Sequence, residues 1–261
     1  RIILGISCFY KIMFLIIHTY LTNFIMKISL IIPTRKRVSN VKRLVESVYN
    51  TVQDIKNVQL MFYVDDDDQD TIDFFNKEKD NPRFTHLIDT KVVIEPRQER
   101  FGETNNVLYR ASDGDILMLG ADDIAFRTKN WDHIVREEFG KYPDRLALVF
   151  GYDGIQPPGT LATHCFISRR GADILGYASP GDFGYNYADN WMTELYRQID
   201  RLRYVPMHVE HMHWGVGKAE YDETYRLGSD APHDESKAIW EDKHRLNADI
   251  KKLRDKIDTV D

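Results

Sequence analysis

Cysteine is nearly absent from this 261-residue chain, with Cys8 and Cys165 the only two. That excludes a disulfide framework and a zinc site built from four thiolates, and it fits a reducing compartment. A basic excess is also missing. The formal net charge is −6, so the chain is no general binder of nucleic-acid backbones, which need a basic face, and no nucleic-acid partner is expected. There is no internal repeat and no low-complexity linker. An uninterrupted membrane span is lacking too. Residues 1–26 are almost all apolar or aromatic, but Lys11 and His18 break them. A lysine near the middle of a span costs roughly 2.5–3.5 kcal/mol on insertion scales, and the apolar blocks beside it are each too short to cross. No small-residue cleavage pattern follows, which counts against a signal peptide. Met26-Lys27-Ile28 reads as a natural beginning. Residues 1–25 are therefore an apolar leader with three open meanings: a non-native extension, a membrane anchor or an extra packed helix. The expected location is cytoplasmic, with membrane association if the leader is native.

What the chain does have is alternation. Residues 27–32 are mostly apolar and stop at Pro33, the pattern of a strand buried on both faces. Ser39 or Asn40 can cap a helix, and Val41, Leu44, Val45, Val48 and Val52 then recur at helical spacing. Residues 58–64 predict a strand, 71–79 a short helix closed by Asn81-Pro82, 91–95 a strand, 104–111 a helix and 116–119 a strand. That order predicts an α/β domain with a parallel sheet and right-handed crossovers. Residues 146–150, 163–168 and 204–211 read as further strands and 188–199 as a helix. From Ser229 onward the chain is strongly charged, with Ile239, Leu246, Ile250, Leu253 and Ile257 at near-heptad spacing. This predicts an amphipathic helix that either folds back on the domain or pairs with a second copy as a homo-oligomer.

Two of the strands run into acids. Residues 116–119 lead to Asp122-Asp123, and residues 58–64 to the run Asp65 to Asp68. Ligands bind beyond the carboxyl ends of strands in open α/β sheets, and paired carboxylates suit a divalent cation. Four adjacent acids repel one another, so one or two at most touch a ligand; Asp65, directly after the strand, is the best placed. His211 and His213 are two apart, so on a strand both face one side, and imidazole joins carboxylates around Mn²⁺-type ions.

From Met26 to about Arg226 the chain resembles a family 2-type glycosyltransferase with the GT-A fold. The resemblance is carried by Ile28-Ser29-Leu30-Ile31-Ile32-Pro33-Thr34-Arg35, by Phe62-Tyr63-Val64-Asp65-Asp66, by Asn105-Asn106-Val107-Leu108 and by Gly114-Asp115 through Asp122-Asp123. It implies a Rossmann-like, mostly parallel central sheet flanked by helices over residues 26–228, with residues 229–261 as the C-terminal amphipathic helix. It also implies transfer of a sugar from a nucleotide-diphosphate donor to a glycan or other hydroxyl acceptor, with inversion and with Mn²⁺ or Mg²⁺. Metal ligands would come from Asp122, Asp123, His211 and His213. Pro33, Thr34, Arg35, Asp65, Asn105, Asp122 and Lys218 would contact the nucleotide-sugar.

Asp189 would be the general base that deprotonates the acceptor; its other reading is a helix N-cap. Trp191, Trp214, Tyr185 and Tyr187 either wall a sugar ring or belong to the core. Arg35, Lys218 and Arg226 either meet the diphosphate or are solvated. The chain departs from the family in two places. Lys36-Arg37 stands where Asn-Arg is common, and Gly120-Ala121-Asp122 lacks the first Asp of an Asp-x-Asp motif, leaving Asp122 and Asp123 as rival principal ligands. Two other functions stay in play. A nucleotidyltransferase would want a glycine-rich loop where Pro33-Thr34-Arg35-Lys36 stands. A non-catalytic nucleotide-sugar or glycan-binding protein would account for the missing acid.

Overall fold

Apolar runs bounded by proline or acids become the middle of a sheet. In the computed structural model, which describes residues 26–78, 81, 88–184, 186–230, 233–257 and 259, strands β1 (Ile28–Thr34), β2 (Val58–Asp65), β3 (Asp89–Glu95) and β4 (Ile116–Leu119) lie side by side. β1 pairs in parallel with both β2 and β4, and β2 in parallel with β3. The apolar leader at residues 1–25, Pro82 and Tyr185 lie outside the described residues.

Successive side chains of a strand face opposite sides, and the core divides accordingly. Leu30 and Ile32 join Leu60, Phe62 and the α1 (Val38–Thr51) stripe Val41, Leu44, Val45 and Val48 on one face. Ile31 joins Met61, Leu117 and Leu108 of α3 (Phe101–Ala111) on the other. Each such side chain contributes about 1.5–3 kcal/mol when fully buried. Helix α2 (Gln69–Glu78) follows β2. Asp68 caps its start, accepting hydrogen bonds from Thr71 N at 3.3 Å and from Lys36 N at 2.6 Å.

The second half departs from the expected parallel sheet. β5 (Ile124–Phe126), β6 (Leu148–Tyr152), β7 (Phe166–Ser168) and β8 (Leu202–His211) extend the order to β3-β2-β1-β4-β7-β6-β8-β5. β7 is antiparallel to both β4 and β6, and β5 is antiparallel to β8; only β6–β8 is parallel. The sheet is mixed, and it curls into a half-barrel rather than lying as a flat Rossmann sheet. A physical reason is local. The β6–β8 register shifts between Phe150 and Tyr152, and such bulges bend a strand and raise its twist. Gly151 sits in the bulge because a Cβ there would meet Met207 O at 2.2 Å.

Helix α4 (Trp131–Gly140), not anticipated from the sequence, buries Trp131, Val135 and Phe139 together with the i,i+4 ion pair Asp132–Arg136. α5 (Arg169–Leu175) and α6 (Ala188–Gln198) follow β7 and precede β8. Past β8 come α7 (Glu223–Asp230), α8 (His233–Glu241) and α9 (Lys243–Arg254). The charged tail is thus two helices rather than one. Asp242 breaks it, its carboxylate capping α9 by accepting from His244 N at 3.0 Å and Arg245 N at 3.3 Å. Leu246, Ile250 and Leu253 pack into this chain's own core beside Trp191, Tyr196 and Leu175, so the stripe that could have served a second copy is covered from within. No helix among the described residues is long and apolar enough to cross a membrane.

Candidate functional site

A cavity of about 480 Å³ opens at the carboxyl ends of β1, β2 and β4. β1 ends in Thr34, β2 in Asp65, and the turn after β4 carries Asp122 and Asp123. The antiparallel β5–β8 pairing sets His211 opposite Ile124. Backbone bonds pin that corner: Met212 N donates to Asp123 O at 2.7 Å, and His211 N to Asp153 O at 2.8 Å.

The acid pair is built around Arg37. Its Nη1 donates to Asp122 Oδ1 at 3.1 Å and lies 3.7 Å from Asp123 Oδ2. Its Nε and Nη2 grip Asp222 at 2.6 and 2.7 Å, and its guanidinium lies 4.2 Å over the Tyr225 ring. Thr34 Oγ1 donates to Asp122 Oδ2 at 2.8 Å, which completes that carboxylate. Burial pushes Asp122 up to about 6; Arg37 opposes the shift and Asp123 adds to it. Asp123 goes the other way. Burial works against its charge, but His211 at 3.5 Å and the Tyr225 hydroxyl at 2.8 Å hold it well below the usual carboxylate range. The two acids are therefore unequal: Asp122 is committed to Arg37 and Thr34, and Asp123 is the one kept charged.

Asp123 Oδ1 is buried and has no hydrogen-bond partner. The same holds for Asn105 Oδ1, His164 Nε2 and Arg35 Nε, and all four residues line this cavity. Buried polar atoms in folded proteins are nearly always paired, so such a concentration marks a place where a ligand completes the bonding. Asn106 makes the contrast. Both polar atoms of its amide are paired, the oxygen accepting from Ala178 N at 2.9 Å and Ser179 N at 3.2 Å and the nitrogen donating to Ser179 O at 2.8 Å.

Asp189 also lines the cavity. It is not the N-cap of α6, a position taken by Tyr187 in the left-handed region at φ 70°. It sits in the first helical turn, where the helix dipole favours an anion, and its Oδ1 accepts from Asn190 N at 2.8 Å. Burial raises its pKa, with that hydrogen bond opposing the shift. Cys165, also at the wall, is a buried thiol that burial and the Asp189 charge push up to about 12.

Ten of the residues expected to act in catalysis, donor binding or metal binding thus share the cavity: Pro33, Thr34, Arg35, Asp65, Asn105, Asp122, Asp123, Asp189, His211 and His213. Asp65 accepts from Arg35 Nη1 at 2.8 Å. Arg35 also pairs with Asp67, which ties the first loop to the second strand's acidic end. Lys218 is not among the lining residues; it pairs with Glu210 at 2.7 Å. Arg226 is also outside, 3.6 Å from Asp230. Of the proposed aromatic wall, Trp191 is fully buried and donates to Tyr177 Oη, and the Tyr187 ring stacks on Trp240. Of the three described members, Trp214 alone lines the cavity, where it is 41% exposed.

The four expected metal ligands do not form one set. Among the described residues no group of three or more His, Cys, Asp or Glu side chains is arranged to hold a metal. Asp123 and His211 meet, Asp122 is engaged elsewhere, and His213 Nδ1 accepts from Gly215 N at 3.1 Å. Sequence reasoning missed Arg37, His164, Asp222 and Tyr225. Arg37 stood next to the departure at Lys36 and was given no role, and the other three lie outside any motif.

Comparison with solved structures matches this architecture to several proteins. The mannosyltransferase PcManGT of Pyrobaculum calidifontis, in complex with GDP-Man and Mn²⁺, superposes with a TM-score of 0.57 at 11% identity, covering 87% of this chain and 74% of that one. The S. aureus TarS complex with UDP-GlcNAc gives 0.59 at 13% identity, covering 85% and 73%. The fold is glycosyltransferase-like. A further S. aureus TarS structure gives 0.57 at 13% identity over 71% of this chain, which spans only 60% of that one. At these identities the likeness is one of fold. No family model and no curated protein matches the chain.

Proposed function

We propose that the chain is a glycosyltransferase of the GT-A type that moves a sugar from a nucleotide-diphosphate donor to an acceptor hydroxyl with inversion. The observation that carries this reading is the single cavity that gathers Asp65, Asp123, His211 and Asp189 from four separate chain segments beside unpartnered buried polar atoms. The TarS structure with UDP-GlcNAc and the mannosyltransferase structure with GDP-Man and Mn²⁺ supply the donor class by likeness of fold.

In this reading the nucleoside end lies against Asp65 and the Arg35 loop, and the diphosphate lies toward Asp123 and His211. Asp123, with its unpartnered Oδ1, and His211 would hold Mn²⁺ or Mg²⁺, the other positions falling to water and diphosphate oxygens, as is usual for Mg²⁺-type ions on phosphate substrates. Such an ion offsets the negative charge that builds on the leaving diphosphate. Arg37 keeps the acid pair folded and partly neutralised, which leaves Asp123 aimed at its task. Asp189 takes the proton from the acceptor hydroxyl as that oxygen attacks the anomeric carbon. A carboxylate whose pKa is raised is a better base than an ordinary one.

The test is turnover of nucleotide-sugars, read as released nucleoside diphosphate, with Mn²⁺ or Mg²⁺ and with excess chelator. Activity that chelator abolishes and metal restores is expected. No turnover or binding of any nucleotide-sugar would remove the reading, and full activity in chelator would remove the ion from it.

A further inference from the structure

The geometry points to His164 as the residue that hydrogen-bonds a hydroxyl of the sugar being transferred, an assignment that rests on the glycosyl transfer proposed above. His164 is only 9% exposed, lines the cavity, and has no partner at Nε2. Its ring stands nearly perpendicular to that of His211, at 83° with centroids 4.8 Å apart.

The loop that carries it is fixed on both sides. Ala162 N donates to Thr193 Oγ1 at 3.0 Å, Thr163 Oγ1 to Asp153 Oδ2 at 3.0 Å, and Leu119 N to Cys165 O at 2.8 Å. The chain on either side of His164 is therefore fixed, while the buried Nε2 of its ring is left unused.

Its position says which part of a donor it meets. One neighbour is His211, at the end of the cavity where the diphosphate would lie. The next residue in the chain, Cys165, lines the same cavity as Asp189 and feels its charge. In an in-line displacement the anomeric carbon lies between the leaving diphosphate oxygen and the attacking oxygen. His164, which adjoins His211 and shares the cavity with Asp189, is therefore within reach of a sugar held between them. A neutral imidazole nitrogen gives or takes one hydrogen bond, which suits a hydroxyl and does little for a diphosphate. His164 also does not complete a three-ligand group with Asp123 and His211 among the described residues. A purely structural role is disfavoured, because a structural buried histidine has its nitrogens paired.

The experiment is calorimetric titration, in Mn²⁺, of the full chain and of His164→Ala and His164→Asn. The probes are UDP, GDP, UDP-GlcNAc, UDP-glucose, UDP-galactose and GDP-mannose. For the conjugate the wild-type chain prefers, His164→Ala should weaken binding about tenfold, the worth of one buried hydrogen bond. The matching free diphosphate should bind within about twofold of wild type. His164→Asn, which keeps a polar atom of shorter reach, should recover part of the loss. Equal weakening of diphosphate and conjugate, or no weakening of either, overturns the assignment of His164 while leaving the proposed function standing. Wild-type binding of the diphosphates with no gain from any sugar overturns it as well. A wild-type chain that binds none of the six probes overturns the proposed function itself, and the assignment with it.

Discussion

The protein holds two buried arginine–aspartate clusters at opposite ends of its strands, and they are finished to different degrees. At the amino ends, Asp132 accepts from Gln53 N at 2.8 Å, Asp54 N at 3.0 Å and Arg136 Nη1 at 2.6 Å. Arg136 Nε donates to Met26 O at 2.8 Å and its Nη2 to Asn57 O at 3.0 Å. Neither side chain has a polar atom left unpaired. At the carboxyl ends, Arg37 binds three carboxylates, yet Asp123 Oδ1 beside it stays unpartnered, as do His164 Nε2 and Asn105 Oδ1 at the same cavity. Both clusters cost desolvation. The amino-end cluster recovers it inside the chain and acts as a rivet for α4. The carboxyl-end cluster leaves polar atoms unsatisfied by the chain, the opening that the proposed donor would fill.

The sharpest way to separate the two is Asp189→Asn at the open end. Turnover of the preferred donor should fall by about 10²–10⁴-fold, with donor affinity by calorimetry unchanged; retained turnover would remove Asp189 from the mechanism. The wild-type rate should also lose activity on the acid side at a higher pH than an ordinary carboxylate would dictate, since Asp189 must be unprotonated and its pKa is raised. At the closed end, Arg136→Met strands Asp132 and should cost about 3–5 kcal/mol in urea unfolding, with no selective loss of donor affinity in the protein that remains folded.

Arg37→Met should cost somewhat less, about 3 kcal/mol at pH 8, because Asp122 has an escape. Its pKa is raised to about 6 in the folded chain against 3.8 as the reference value, so the folded state binds its proton more readily than the unfolded state. Stability contributed by this group therefore grows as pH falls through 6 toward 3.8 and is lost as pH rises. Removing Arg37 strengthens that trend, and the deficit measured at pH 5 should be visibly smaller than at pH 8. The smallest effect belongs to Lys218→Ala. Its pairing with Glu210 is at the surface, where such pairs contribute about 0–1 kcal/mol. Donor affinity should move by less than about twofold, and a larger loss would return Lys218 to the binding site.

The first half of the fold was legible because its signals are local. Ile28 to Ile32 and Val58 to Val64 are apolar on both faces, and the acids after them mark strand ends. α4 was not read because its apolar stripe, Trp131, Val135 and Phe139, is shadowed by the equally buried Asp132 and Arg136, which look like solvent-facing charges until they are seen paired. β5 is three residues long, too short for a period to register, whereas β7, also three residues, falls within the strand read over residues 163–168. Asp123, His211 and Asp189 could be picked out from motif and spacing. His164 could not, because its interest lies in a missing hydrogen bond, and Tyr225 could not, because it reaches Asp123 across 102 positions of chain.

The antiparallel match of Ile124 with His211 makes the proposed chemistry a matter of odd and even. Glu210, one step back along β8, turns the other way and is held by Arg127 and Lys218. A slip of one residue in that short ladder would swap imidazole for carboxylate at the mouth of the cavity. Three residue pairs, Ile124–His211, Ala125–Glu210 and Phe126–Val209, therefore act as a keyed joint. Shifting that ladder by a single residue should abolish the proposed transfer, read as released nucleoside diphosphate, even where every side chain named here is kept.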